Sequence, residues 1–179
     1  MIIFLGPAGS GKSVQGQLLA EKYNWQWLSV GQLLRASSDE KIQKIMQKGK
    51  LVPNNLTFKV LSENLDGIKN YKKIILDGFP RSIEQTDWLI NSKYHEFLDL
   101  VFVIQISTQE IIQRMEIRGR SDDNRQSINE RLEIYYQEIN EIINHLKNNS
   151  ISVTTVNGGG SIEEVHERIK KELIKCGLL

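Results

Sequence analysis

The chain has 179 residues, 40% of them apolar and 25% charged, which fits one globular domain and excludes a disordered chain. Lysine and arginine number 23 against 22 acidic residues, so the net charge of +1 lacks the basic excess expected of a protein that lives on nucleic acid or an anionic membrane. One cysteine, Cys176, excludes a disulfide framework and a thiolate zinc site.

In chain order, residues 1–5 are an apolar run ending in Gly6, too short for a signal core or a membrane span, and read as a buried strand. Residues 6–11 form a turn, and 12–23 a helix with Val14, Leu18 and Leu19 as its apolar positions. A short strand is expected at 25–28 and a polar helical stretch over 31–48, closed by Gly49. Asn54 and Asn55 can cap a helix reaching about Leu65. The run 73–76 reads as a strand entering Asp77-Gly78, and 82–90 as a helix. The β-branched run 98–106 reads as a central strand, with Ser107 and Thr108 offering a cap for a helix over 109–117. A polar loop at 119–124 precedes a long helix over 127–147, whose stripe is Ile128, Leu132, Tyr135, Ile139, Ile142, Ile143 and Leu146. A last strand at 151–156, a glycine turn at 158–160 and a helix over 162–174 close the chain.

Strands alternating with helices predict an α/β fold of three layers, a parallel sheet covered on both faces. The segment 30–65 carries helices without a convincing strand and reads as an insertion between two sheet strands.

Two clusters carry chemistry. Gly6-Pro7-Ala8-Gly9-Ser10-Gly11-Lys12-Ser13 fits G-x-x-x-x-G-K-[ST], between a buried strand and a helix. Glycines let backbone N–H groups approach phosphate oxygens, and the helix adds the positive end of its dipole. Lys12 can reach the β- and γ-phosphates and Ser13 can ligate magnesium. The second cluster is the apolar strand ending in Asp77, a position suited to magnesium or its waters, then Gly78-Phe79-Pro80-Arg81 with Gln85 four residues on. Only eight cations are arginines, and five lie within 114–131: Arg114, Arg118, Arg120, Arg125 and Arg131. Clustered guanidinium groups on a neutral protein point to a small anionic ligand.

Leu76-Asp77-Gly78-Phe79-Pro80-Arg81 with Gln85 resembles the signature of adenylate kinases and related nucleoside monophosphate kinases. The phosphate loop with Gln15 and Leu18, the runs 28–35 and 49–53, and the run from Arg114 to Arg131 resemble the same family, in its order along nearly the whole chain. The resemblance implies a P-loop fold with a five-stranded parallel sheet, a helical monophosphate-binding insertion at 30–65, a lid at 118–124, and a core of 1–29, 66–117 and 125–179. It implies reversible magnesium-dependent transfer from ATP to AMP, giving two ADP. By resemblance, Lys12, Arg81, Arg120 and Arg131 are catalytic. Gly9, Ser10, Gly11, Lys12, Ser13, Val14, Arg114, Arg118 and Gly160 bind ATP. Val30, Arg35, Val52, Gly78, Arg81, Gln85, Arg120 and Arg131 bind AMP. Ser13 and Asp77, the latter through water, hold magnesium, and Asp122 and Asp123 hold the closed lid. Small-molecule substrates, no nucleic acid, no membrane, a monomer and a cytoplasmic location complete the expectation.

Three departures stand out. Only Gly119 separates Arg118 from Arg120, so the lid is short and has no room for zinc or strands. Ser13-Val14 replaces the family's Gly-Thr after the loop lysine. Val30-Gly31-Gln32 replaces Thr-Gly-Asp on the acceptor-base side, which keeps CMP, UMP or GMP as alternatives to AMP, while the short lid keeps a non-catalytic ATP-binding module as a further alternative. Gln85 favours adenine, since an amide both donates and accepts. Arg125 reads as a solvated surface residue, the three histidines as surface or hydrogen-bonded side chains, Cys176 as packing or exposed, and Trp25, Trp27 and Trp88 as core.

Overall fold

The computed structural model describes residues 1–48, 50–119 and 125–179, with Arg118 and Ser127 described in backbone only. Five strands form one sheet: β1 (Ile2–Leu5), β2 (Gln26–Ser29), β3 (Ile74–Asp77), β4 (Leu100–Gln105) and β5 (Val153–Asn157). Their order is β2-β3-β1-β4-β5 and every neighbouring pair is parallel. Such strands are buried on both faces, which is why β1 and β4 are apolar runs rather than alternating ones.

The strand period of two divides the core. Ile2, Phe4, Ile75, Phe102 and Ile104 face α1 (Lys12–Tyr23) and α8 (Ile162–Lys175) through Leu19, Val165, Ile169 and Leu173. Ile3, Leu5, Leu76, Val101 and Val103 face the opposite layer. That layer contains α5 (Ile83–Ile90) and α7 (Arg125–Asn148). It also includes α2 (Val30–Ala36), α3 (Glu40–Gln47) and α4 (Asn54–Leu65). The stripe expected on α7 faces inward, with Ile128, Leu132, Ile139, Ile142 and Leu146 buried. Each such side chain contributes about 1.5–3 kcal/mol by leaving water. Ile111 and Met115 on α6 (Thr108–Arg118) pack with Ile128 and Leu132 beside Ala8, forming a third cluster under the phosphate loop.

Three expectations change. The stretch 31–48 is two helices, because Ser37, Ser38 and Asp39 interrupt it. The Asp39 carboxylate accepts from Lys41 N and caps α3, while Gln43 Nε2 donates to the Arg35 and Ser37 carbonyls at the end of α2. In α1, Val14 is exposed, and the buried positions are Lys12, Gln15, Gly16 and Leu19. Gly16 is there for contact: a Cβ on it would sit 2.6 Å from the Trp27 ring. The tryptophans are half-buried at the edges of the core. Trp88 stacks on Phe58 at 4.9 Å and meets Phe79 edge-on. Cys176 follows α8 and is exposed. Among the described residues no helix is long and apolar enough to cross a membrane.

Candidate active site

In an open parallel sheet a ligand crevice forms beyond the carboxyl ends of the strands, where the strand order reverses. Here the chain leaves β1 for β2 and returns through β3, then crosses to β4 on the other side of β1. The loop 6–11 springs from the end of β1, and Asp77 ends β3 opposite Phe4, with Gly78 N bonded to Phe4 O. A crevice of about 670 Å³ lies at this point.

The floor is the phosphate loop. Gly9 and Gly11 have φ of 82° and 91°, a region that side chains disfavour. Gly11 is the N-cap of α1 and supplies no side-chain bond; the first turn carries no acidic residue. By contrast α5, α6 and α8 begin with Ser82, Ser107 and Ser161, whose hydroxyls accept from the helix backbone. The N-terminus of α1 is thus built to present backbone donors outward. The Lys12 ammonium donates to the carbonyls of Gly6 and Pro7, both at 2.7 Å, and to Ser10 Oγ at 3.3 Å. Ser13 Oγ donates to Asp77 Oδ2 at 2.6 Å, joining the end of the loop to the end of β3. These are hard oxygen donors in the small number that magnesium takes from protein when substrate phosphates complete its shell.

Guanidinium groups reach the crevice from four segments. Arg35 rises from α2 and Arg131 from α7. Arg81, after β3, has Nε on the Gly78 carbonyl at 2.7 Å. Arg114, on α6, donates from Nη2 to Glu110 Oε1 at 2.6 Å and to the Gly158 carbonyl at 3.2 Å. Its Nη1 lies 3.6 Å from where a Cβ on Gly11 would be, which sets it against the phosphate loop. Desolvation lowers the pKa of Arg81; Asp77 opposes that shift, and Arg131 and Arg35 add to it. Arg81 nevertheless keeps solvent access through the crevice mouth, so its surroundings are those of a concave wall rather than a dry interior. It stays charged, and the like charges beside it favour an anion between them.

Gln85 is buried in the first turn of α5 and lines the same crevice, as the spacing from Arg81 predicts. Val14, Val30, Val52, Gly78 and Gly160 line it too. Arg120, Asp122 and Asp123 lie outside the described residues, as does the Arg118 side chain. Arg125 is exposed and away from the crevice lining.

Several neighbours were not identified from the sequence as site residues. Asn54, expected only as a helix cap, accepts from Gln85 Nε2 at 2.7 Å. Glu110 holds Arg114, an i,i+4 pair that the spacing contains. Arg168 donates to the Asn157 and Gly159 carbonyls at 2.9 and 2.6 Å and fixes the glycine turn that lines the crevice. No spacing in the sequence links Asn54 to Gln85, 31 residues away.

A family model described as adenylate kinase matches residues 4–151. An adenylate kinase of Prochlorococcus marinus is 35% identical over 180 residues, covering 96% of this chain and 97% of that protein. One of Corynebacterium glutamicum is 35% identical over 182 residues, covering 97% and 99%. One of Thermus thermophilus is 32% identical over 185 residues, covering 96% of each. With the phosphate loop, Asp77, Arg81 and Gln85 meeting at one crevice, and with matches running nearly end to end, this chain belongs to the adenylate kinase family.

Proposed function

We propose that this protein is a phosphotransferase that moves the terminal phosphoryl group of ATP to AMP, reversibly and with magnesium. The observation that supports the reading is that the phosphate loop with Lys12 and Arg114, the guanidinium groups of Arg35 and Arg81, and the adenine-compatible amide of Gln85 all line one crevice.

Phosphoryl transfer spreads charge over equatorial oxygens, so catalysis consists mainly of alignment and charge stabilisation. Lys12 and the N-terminal donors of α1 hold the donor phosphates. Arg35 and Arg81 hold the acceptor phosphate, and Arg131, which lines the same crevice, stabilises the transferring group. Arg114, braced by Glu110 and Gly158, fixes the donor side. Ser13 and Asp77 would hold magnesium, which supplies neutralisation of the phosphate charge. The helices over 30–65 act as the acceptor-binding part and residues 118–124 as the lid that excludes water. A monomer acting on small molecules in the cytoplasm completes the reading.

The test is a coupled assay with ATP, magnesium and AMP, CMP, UMP and GMP in parallel. Fastest turnover with AMP supports the proposal. A different preferred acceptor would replace the substrate, and ATP binding without transfer to any monophosphate would end the kinase reading.

A further inference from the structure

Gln85 is held from both ends by groups that leave its amide no choice of orientation. Its Oε1 accepts from the backbone N–H of Arg81 at 2.7 Å. Its Nε2 donates to Asn54 Oδ1 at 2.7 Å, and Asn54 Nδ2 donates to Glu84 Oε2 at 2.6 Å. A backbone N–H only donates and an ionised carboxylate only accepts. The direction of the chain is therefore set by chemistry: Arg81 N–H requires an oxygen from Gln85, and Glu84 requires an N–H from Asn54. Turning both amides over would set donor against donor at Arg81 and oxygen against oxygen at Glu84.

After these bonds Gln85 retains one acceptor lone pair and one N–H, on a side chain that lines the crevice. An acceptor beside a donor matches the edge of a 6-aminopurine, which offers an exocyclic N–H beside the N1 acceptor. A 6-oxopurine offers the reverse and needs the flipped amide.

We propose that Asn54 and Glu84 are specificity-determining residues that lock the Gln85 amide for a 6-aminopurine and against a 6-oxopurine. The proposal rests on the acceptor site proposed above. Asn54 begins α4 and Glu84 sits in the first turn of α5, so the lock forms only when these two helix starts meet. Both are positioning residues, since they act through Gln85.

The test compares AMP with IMP, in both equilibrium binding and transfer from ATP, for the wild-type protein, Glu84→Gln and Asn54→Ala. Glutamine at 84 can donate or accept, and alanine at 54 cuts the relay. The expected result is a preference for AMP over IMP that falls at least fivefold in each variant, with the change in KM rather than kcat. A structural loss would instead lower turnover with both acceptors alike. An unchanged AMP-to-IMP ratio in both variants overturns the proposal. AMP binding without transfer would remove the kinase reading, leaving the lock to be judged by the binding ratio. No AMP binding by the wild-type protein overturns both.

Discussion

Arg81 and Asp77 sit four residues apart in sequence, and the turn through Gly78 folds one back beside the other. The Gly78 carbonyl then fixes the Arg81 guanidinium. Replacing Arg81 with methionine keeps most of the volume and removes the charge. The expected result is a fall in kcat/KM for AMP of about 10²-fold or more, in line with the loss of a charged group aimed at a transition state. ATP affinity should change little, and steady-state kinetics with each nucleotide varied in turn would check both. Asp77→Asn keeps the shape and removes the carboxylate. The magnesium concentration for half-maximal rate should then rise about 10- to 100-fold, the range found when a residue supporting a metal is lost; a magnesium titration of activity measures it. The residue types at these two positions were legible because their chemistry is local. The distant partners of Gln85 and Arg114 were not, because Asn54 is 31 residues from Gln85 and Gly158 is 44 from Arg114.

At the scale of elements, the helices were legible where apolar period and caps agreed. Ser161 and Glu164 form a reciprocal capping box at the start of α8. Ser161→Ala should lower stability by about 1 kcal/mol, read from urea unfolding. The 31–48 stretch misled because its composition suits a helix, whereas Ser37 to Asp39 supply side chains that cap better than they propagate. In α1 the apolar count was a poor guide, since that helix buries Gln15 and Gly16 and exposes Val14. Contact explains the choice at residue 16. Gly16→Val would drive a branched side chain into the Trp27 ring and should lower stability by roughly 1–3 kcal/mol, measurable by the same unfolding experiment.

Across the whole molecule, one buried ionisable group links the fold to pH. His166 on α8 is largely buried, and its Nδ1 is shielded from solvent with no partner among the described residues. Burial lowers its pKa, nearby Lys22 and Lys170 add to the shift, and Glu167 opposes it. A folded pKa below the unfolded value of 6.5 means that the unfolded chain takes up a proton first as pH falls. This histidine's contribution to stability is therefore complete above 6.5 and is lost between 6.5 and the lowered folded value. Urea midpoints at several pH values should fall more steeply through that window for the wild-type protein than for His166→Leu; equal slopes would refute the assignment.

The sequence by itself determined the alternation that makes a parallel sheet, the phosphate loop, the acid at the end of β3 and the arginines, because each depends on a short run of residues and its backbone geometry. Tertiary structure alone decided which arginines share a crevice with Lys12. It alone decided that Asn54 meets Gln85 and that Gly158 meets Arg114. Those outcomes depend on which helix faces fit against the two sides of the sheet, and contacts between residues far apart in the chain have no period or spacing to announce them.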